Sequence, residues 1–308
     1  MIHCQAEIPL KLGIHLPLEL FTPSQTIHAA KLIEKAEFDH VVVNDHFSLP
    51  RGSKVEEAWT VIAAIGTVTH SVRIGPSVTP LPLRHPFLLA KMAATVDQLT
   101  SGRLLMGVGA GWYRQEFQWL EVPFHRHPER LAQIEEAVHV IQRLWTEKTV
   151  SFQGIYYQLN AVSLEPKPVQ QPHPPFFFGG GSRGILELMA YYGNGWMPFA
   201  PTLQGLQTRI NQLWDLLAFN DRSQEDFEVI PNMLFQHGKN AVDARKHLPK
   251  WGKSLDDSRV ILGSSEDCAE RLKAYAEMGA THLTLRLVNP TTVERDLELI
   301  QKEILPKL

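Results

Sequence analysis

Three consecutive polar residues, Asn44, Asp45 and His46, directly follow an apolar run at residues 41–43. Polar side chains at the end of a buried strand are costly unless they face a polar cavity or one another. An imidazole exchanges protons near neutral pH, and an adjacent carboxylate can assist it. We therefore predict that Asp45 and His46 are catalytic and transfer protons; the alternative is a hydrogen-bonded His46 without a chemical role. His15, on another predicted strand, has no polar neighbours in the sequence.

The spacing of Gly179, Gly181 and Gly184 matches G-x-G-x-x-G, and these glycines lie between an apolar strand and a helix. Backbone amides at the start of a helix, with the positive end of its dipole, bind phosphate groups. A dinucleotide-binding Rossmann domain is therefore the alternative fold. The next strand, however, ends in GWMPFA and offers no acidic residue for a ribose. The alternative to phosphate binding is a tight turn without a ligand.

A second glycine-rich segment, GVGAGW, has Trp112 where a nucleotide fingerprint would need its third glycine. We predict instead that a flat ligand approaches the main chain at Gly109, Ala110 and Gly111, where side chains are small or missing. The segment at residues 77–79, which lies between two prolines, indicates by itself only the end of a strand.

The stretch of residues 84–112 is predicted to form one helix and one strand. Pro86 suits the first helical position, and Gly102 suits a left-handed position after the helix. Asp97 on this helix and Arg103 at the start of the strand are expected to form a structural ion pair. The strand is a continuous apolar run, as expected when both of its faces are buried in a parallel sheet.

Neither cysteines nor histidines indicate a metal. Cys4 and Cys268 lie at opposite ends of the chain and are expected to be reduced and structural. His125 and His127 have a spacing seen in some metal sites, but no second group of ligands accompanies them. We therefore predict no metal site.

Eight predicted strands alternate with helices along the chain, and this alternation requires parallel strands with right-handed crossovers. The count favours an α/β fold of the (β/α)8 TIM-barrel type over an open sheet. We predict one domain over residues 1–308, with insertions at the carboxyl-terminal rim at about 113–174 and 240–257. The predicted strands are at residues 12–18, 41–47, 72–79, 104–108, 175–181, 195–200, 227–236 and 281–288.

The formal charge of -3 argues against nucleic acid or an anionic membrane surface as the main partner. No apolar run approaches the roughly 18 residues of a membrane span, and the amino terminus lacks the pattern of a signal peptide. These properties predict a cytoplasmic protein whose main partner is neither nucleic acid nor a membrane.

In their order along the chain, several segments resemble the luciferase-like monooxygenase superfamily, and more narrowly its deazaflavin-dependent oxidoreductase branch. The likeness extends from about the first strand to the last helix. The segments that carry it are NDHF (44–47), RIGPSVTP (73–80), RHPFLLAKMAATVDQLTSGRLLMGVGAGW (84–112), LWTEKTVSFQGIYYQL (144–159), PPFFFGGG (174–181) and YGNGW (192–196).

The resemblance implies a bacterial-luciferase-like barrel that holds 8-hydroxy-5-deazaflavin (coenzyme F420), or alternatively FMN, at the carboxyl ends of its strands, usually in a homodimer. It implies a non-prolyl cis peptide at Ser77-Val78 and places the cofactor phosphate on the glycines that precede the fifth helix. The implied cofactor-binding residues are Asp45, Ser77, Val78, Thr79, Gly109, Ala110, Gly111, Trp112, Gly179, Gly180, Gly181 and Ser182.

One departure concerns the sugar-phosphate dehydrogenases of this branch, in which a glutamate acts as the acid where this chain has Trp112. Because their phosphate-binding lysine and arginine cluster also has no clear counterpart here, a sugar phosphate is not the expected substrate. The expected reaction is hydride transfer between C5 of the deazaflavin and a small organic substrate, with His46 moving the proton and Trp112 forming an apolar wall. The alternatives are a monooxygenase that uses reduced FMN and oxygen, and a flavin-binding protein without turnover.

Overall fold

The computed structural model describes residues 10–50 and 54–308. The strands are β1 Lys11–Leu16, β2 His40–Val43, β3 Arg73–Pro76, β4 Thr79–Pro80, β5 Met106–Gly109, β6 Val150–Gln153, β7 Gln158–Val162, β8 Phe176–Phe178, β9 Gly195–Trp196, β10 Glu228–Val229, β11 Asn232–His237, β12 Val260–Gly263 and β13 His282–Leu287. The helices are α1 Pro23–Lys35, α2 Ala58–Val68, α3 Pro86–Leu99, α4 Arg114–Trp119, α5 His127–Thr146, α6 Arg183–Tyr192, α7 Leu203–Phe219, α8 Ala241–Lys246, α9 Ser265–Glu277 and α10 Val293–Leu299.

Two parallel sheets make up the barrel. One has the strand order β12-β11-β13-β1-β2-β3 and the other the order β10-β9-β8-β5-β4. Parallel bridges join Ile74 to Leu104 at one seam and Phe199 to Asn232 at the other, so the sheets close into a ring. The predicted barrel is confirmed, and the Rossmann alternative is wrong because the bridges close the barrel strands into a ring, whereas a Rossmann fold is an open sheet in which the strand order reverses.

Two of the predicted barrel strands are interrupted. The third is divided into β3 and β4 by the cis peptide at Ser77-Val78, which the resemblance implied. The seventh is divided into β10 and β11 around Pro231, which has no N–H to donate to a neighbouring strand. The two halves pair with different strands: β10 pairs with β9, whereas β11 pairs with β12 and β13.

Strand β12 is absent from the predicted set. It comprises four residues that directly follow the second rim segment, and it pairs in parallel with β11 at the edge of the six-stranded sheet. So short an apolar run gives too little periodicity to separate it from a loop.

The expected ion pair between Asp97 and Arg103 is wrong. The buried Asp97 carboxylate accepts hydrogen bonds from the backbone N–H groups of Val169 and Gln170, at 2.7 and 2.9 Å. The Arg103 guanidinium donates to backbone carbonyl oxygens at the ends of α2 and α3 and at Val72. Both side chains therefore form hydrogen bonds with backbone groups of loops. The periodicity of apolar residues does not predict such contacts. Gly102, as expected, adopts a left-handed conformation with φ +84°.

The amino ends of the barrel strands carry a second group of polar residues, which we call the closed end. It comprises Asp39, His40, Arg73, Glu228 and His282. Arg73 contacts Asp39 at 2.5 Å and Glu228 at 2.9 Å, and His40 Nδ1 lies 3.0 Å from Asp39 Oδ2. Burial lowers the pKa of His282 to about 3, so this imidazole is neutral at pH 7. His282 Nε2 lies 3.8 Å from Asp39 Oδ2, so these contacts together link the starts of β2, β3, β10 and β13.

Candidate active site

A cleft of about 1140 Å³ opens at the carboxyl ends of the barrel strands, and we call this the open end. It is the place where active sites of this architecture occur. All but one of the residues predicted from the sequence line it. These are Asp45, His46, Ser77, Val78, Gly109, Ala110, Gly111, Trp112, Gly179, Gly180, Gly181 and Ser182.

Thr79 is the exception, because it is fully buried behind the cleft wall. Its hydroxyl donates to Asp45 Oδ2 at 2.8 Å and accepts from the indole N–H of Trp59 at 3.1 Å. Thr79 therefore supports Asp45 from behind, and its side chain does not reach a ligand in the cleft.

Asp45 is held by a cation that the sequence prediction did not include. Both of its oxygens accept from the Arg84 guanidinium, at 2.7 and 2.9 Å, and Arg84 also contacts Glu57 at 2.9 Å. Burial raises the pKa of Asp45 above its ordinary value, while the charge and hydrogen bonds of Arg84 oppose that rise. Because its two oxygens are already engaged, Asp45 is better placed to anchor this wall than to deliver a proton.

His46 pairs with a different carboxylate. Its Nδ1 lies 3.0 Å from Glu116 Oε2, and the other oxygen of Glu116 accepts the backbone N–H of Phe47 at 2.6 Å. Glu116 is 1% exposed, so its position is set by these contacts. A carboxylate at Nδ1 fixes the proton there and leaves Nε2 to exchange a proton with a ligand. Trp112 contacts the imidazole edge-on, with the ring centroids 5.7 Å apart.

Val78, which follows the cis peptide, lies between two glycine segments. A Cβ added at Gly109 would lie 2.7 Å from Val78 Cγ2, and one added at Gly179 would lie 2.8 Å from the same atom. At Gly107 an added Cβ would meet the carbonyl oxygen of Pro76 at 1.9 Å. The space that a side chain at these glycines would need is thus filled by Val78 and the Pro76 carbonyl, and this part of the cleft, which we call the floor, consists of backbone and one valine.

Helix α6 starts in the wall of the cleft. Ser182 is its N-cap and accepts the Ile185 N–H at 3.4 Å, while His127 Nε2 lies 3.0 Å from the same hydroxyl. Gly180 has φ +87°, which only glycine adopts readily. Gly184 packs against Leu131 on α5, since an added Cβ would lie 2.4 Å from Leu131 Cδ1. The G-x-G-x-x-G segment therefore presents a helix amino terminus to the cleft.

The expectation that His15 lacks polar neighbours is wrong. Its Nδ1 lies 2.6 Å from Asn232 Nδ2, and its Nε2 lies 3.2 Å from an Arg286 nitrogen. Burial, reinforced by the nearby Arg286 charge, lowers the pKa of His15 well below its ordinary value. The neighbours come from β11 and β13, more than 200 residues away in sequence, so no local pattern could reveal them.

The predicted rim insertions contribute unequally to the cleft. Residues 240–257 supply Lys250, Trp251 and Ser254, whereas residues 113–174 supply His127. Trp251 is 41% exposed and projects beside Phe199, with the ring centroids 6.4 Å apart. One side of the cleft is therefore aromatic.

Other candidates have structural roles. His125 Nδ1 lies 3.7 Å from Glu129, and the described residues contain no group of three or more His, Cys, Asp or Glu side chains that could hold a metal ion. Burial raises the pKa of the Cys268 thiol to about 12, so it stays protonated and unreactive. Cys4 lies outside the described residues. Among the helices described, none is long and apolar enough to cross a membrane.

A family model for luciferase-like monooxygenases matches residues 7–255 of the 308. The chain belongs to this family. The luciferase-like chain is 29% identical over 90% of its length to an FMNH2-dependent dimethylsulfone monooxygenase of Pseudomonas putida, of which 85% is covered. It is 24% identical over 98% of its length to an F420-dependent glucose-6-phosphate dehydrogenase of Segniliparus rotundus, of which 98% is covered.

Its fold matches a solved luciferase-like barrel. The structure of the coenzyme F420-dependent tetrahydromethanopterin reductase from Methanopyrus kandleri superposes with a TM-score of 0.83 at 19% identity, covering 97% of this chain and 99% of that one. At this identity the likeness concerns the fold alone. The family and the cleft together make this chain an enzyme of the luciferase-like monooxygenase type.

Two of the side chains that sequence reasoning missed, Arg84 and Glu116, carried only weak signals. Arg84 stands two residues before the start of α3, where a positive charge is unfavourable next to the helix dipole and therefore suggests a partner elsewhere. Glu116 lies in a six-residue helix next to the apolar Phe117. Its position beside a residue that is expected to be buried is the one signal that its carboxylate faces the interior. In this luciferase-like enzyme both side chains meet their partners only through the closure of the barrel.

Proposed function

We propose that this chain is a deazaflavin-dependent oxidoreductase that transfers a hydride between coenzyme F420 and a small organic substrate. The observation that carries the proposal is the pair formed by His46 and the buried Glu116, at 3.0 Å, on the wall of the cleft. Hydride transfer to or from an oxygen-bearing carbon needs a group that takes up or releases a proton beside it. His46 provides that group, and Glu116 orients it.

The residues present fit a flavin-sized ligand. The cleft volume of about 1140 Å³ exceeds the roughly 300–1,000 Å³ of ordinary ligand pockets, which leaves room for a cofactor and a substrate together. The floor formed by Val78, Gly109 and Gly179 has no large side chain, and the start of α6 at Ser182 offers backbone donors to a phosphate. We propose that these residues hold the cofactor, with Asp45 beside them.

When bound, the deazaflavin supplies a carbon, C5, that accepts or releases a hydride. His46 holds a proton on Nδ1 against Glu116 and exchanges a second proton with the substrate oxygen at Nε2. Trp112, edge-on to the imidazole, limits the approach of water to that nitrogen. Arg84 and Thr79 keep Asp45 in place, and so keep the segment that carries His46 at the end of β2.

Titration of the purified protein with F420 and with FMN, followed by cofactor fluorescence, tests the proposal. We expect submicromolar affinity for F420 and at least tenfold weaker binding of FMN, a difference of about 1.4 kcal/mol or more. Submicromolar FMN binding without F420 binding contradicts it.

A matched pair of variants tests where the phosphate binds. Ser182→Asp keeps a good N-cap on α6 but places a negative charge in the cleft, so it should weaken F420 binding strongly. Thr202→Asp makes the same change at the N-cap of α7, away from the cleft lining, and should leave binding unchanged.

A reduced-FMN monooxygenase is the second candidate, favoured by the 29% identity to the Pseudomonas putida enzyme. The same cleft and the same start of α6 suit an FMN phosphate. Oxygen consumption that depends on reduced FMN, together with the binding result above, separates this reaction from hydride transfer.

We also infer from the family resemblance that the enzyme is a homodimer in the cytoplasm that acts on a small molecule. Size-exclusion chromatography with light scattering tests the dimer, since a monomer at micromolar concentration contradicts it. Cell fractionation tests the location.

A further inference from the structure

One wall of the cleft contains polar atoms that have no hydrogen-bond partner among the residues that the structure describes. They are Glu19 Oε2, Asn44 Nδ2, Asn232 Oδ1 and Arg286 Nε, and all four side chains line the cleft. The residues are nearly inaccessible, for example Asn232 at 2% and Arg286 at 8% exposure. Buried polar groups in proteins are almost always paired, so four unpaired atoms on one wall indicate a ligand that completes them.

Other contacts hold these side chains in place. Arg286 Nη2 lies 2.5 Å from Glu19 Oε1, and Arg286 Nη1 lies 3.2 Å from His15 Nε2. Asn44 Oδ1 accepts the backbone N–H of Leu18 at 2.9 Å. The side-chain amide of Asn232 contacts His15 through Nδ2 and leaves Oδ1 without a partner. If the amide is rotated by 180°, Oδ1 contacts His15 and Nδ2 lacks the partner instead. The wall is therefore rigid before a ligand arrives, which lowers the entropic cost of binding.

The charges on this wall cancel. The Arg286 cation faces the Glu19 carboxylate, and His15 is neutral because burial lowers its pKa. Elsewhere in the cleft Asp45 is balanced by Arg84, and Lys250 is exposed to solvent at the rim. Among residues 10–50 and 54–308, a buried anion would therefore find no unpaired cation on this wall, and its desolvation would be uncompensated.

The unpaired atoms include both donors and acceptors. Arg286 Nε–H and the Asn44 amide donate, whereas the second oxygen of Glu19 accepts. Beside them, the Trp251 and Phe199 rings lie over the Arg286 guanidinium, at 5.6 and 6.0 Å from its carbon, and leave apolar faces exposed to the cleft.

We propose that this wall is the substrate subsite and that the substrate is an uncharged molecule with an apolar body and one polar group that both donates and accepts hydrogen bonds. A carboxamide or a hydroxyl group has this chemistry, whereas a phosphate or a carboxylate does not. The inference rests on the proposed function in one respect, namely that the reaction takes place in this cleft.

The test is calorimetric titration of the protein with hexanamide and hexanoate, which have the same number of heavy atoms and differ in charge. The titrations are made with the protein alone and after saturation with whichever cofactor binds. We expect hexanamide to bind at least about tenfold more tightly than hexanoate. Equal affinity, tighter binding of hexanoate, or no measurable binding of hexanamide overturns the proposal.

A charge variant sharpens the result. Glu19→Gln leaves the Arg286 cation unpaired and should reverse the preference, so that hexanoate binds more tightly than hexanamide. Glu228→Gln removes a carboxylate from the Arg73 pair at the closed end and should leave the preference unchanged. An unchanged preference in a folded Glu19→Gln protein contradicts the proposal, and the wild-type comparison decides it if that variant does not fold.

The two proposals fail separately. If neither F420 nor FMN binds while hexanamide still binds and Glu19→Gln reverses the preference, the subsite stands and the proposed function is wrong. If F420 binds and hexanoate is preferred, the proposed function stands and the subsite is wrong.

Discussion

The barrel has a histidine-carboxylate pair at each end, and the two pairs have the same separation. At the open end His46 Nδ1 lies 3.0 Å from Glu116, and at the closed end His40 Nδ1 lies 3.0 Å from Asp39. The environments differ. The His40 side chain is fully buried and its Nε2 contacts Thr284 at 2.7 Å, whereas the His46 side chain is 15% exposed and lines the cleft.

The comparison shows that pairing by itself does not identify a catalytic group. At the closed end both nitrogens of His40 are occupied and the adjacent space is filled, since a Cβ added at Gly13 would lie 2.1 Å from its ring. At the open end one nitrogen of His46 remains available beside a large cavity. An available polar atom together with a cavity distinguishes the candidate active site from a structural network of the same residue types.

The largest expected effect contrasts the two histidines. His46→Gln and Glu116→Gln should each lower turnover, measured as the change in F420 absorbance with a substrate found by screening, by about 10²-fold or more because proton transfer is lost. His40→Gln should lower the melting temperature and leave turnover of the folded protein unchanged. Full activity of His46→Gln contradicts the catalytic role and favours a binding protein without turnover.

The second prediction contrasts the two arginines. Arg84→Met leaves the Asp45 carboxyl buried without its cation and should lower the free energy of unfolding by about 3–5 kcal/mol, together with a loss of F420 affinity. Arg73→Met should cost less, because Arg73 and Glu228 are 25% and 31% exposed, and should leave F420 affinity unchanged. Urea unfolding and fluorescence titration measure the two effects. If both variants lose the same F420 affinity, the result contradicts the assignment of cofactor binding to the open end alone.

The smallest expected effect is a pH dependence that both ends share. Burial lowers the pKa of His282 to about 3 and that of His15 well below its ordinary value. Between about pH 6.5 and pH 4 the unfolded chain therefore binds protons that the folded protein does not, so stability falls as the pH falls. Each histidine contributes at most about 1.4 kcal/mol per pH unit to this slope.

Replacing either histidine should flatten that slope in urea unfolding measured from pH 7 to pH 5. His282→Gln should do so without a change in ligand binding, whereas His15→Gln should also weaken hexanamide binding. His28→Gln, at an exposed position on α1, is the control. A slope that His282→Gln leaves unchanged contradicts the assignment of a neutral His282.

The sequence by itself determined the alternation of strands and helices, because apolar periodicity, N-caps and glycines act over a few neighbouring residues. A helix was predicted directly after the glycines that follow β8, and the ends of β2 and β8 were predicted to carry the cleft residues. Once parallel strands close into a ring, their carboxyl ends must face one another, so Asp45, His46 and the glycines before α6 meet around one cleft.

Only the tertiary structure decided which groups these residues meet. Glu116 reaches His46 across 70 positions, and Arg286 reaches His15 across 271. In the tertiary structure the Thr79 side chain also lies behind the cleft wall, and Asp97 and Arg103 contact separate loops. A side chain's partner depends on how distant strands are aligned when the barrel closes. Local sequence patterns do not determine that alignment. The charge pairs and the unpaired polar atoms of the cleft therefore could not be predicted from the sequence.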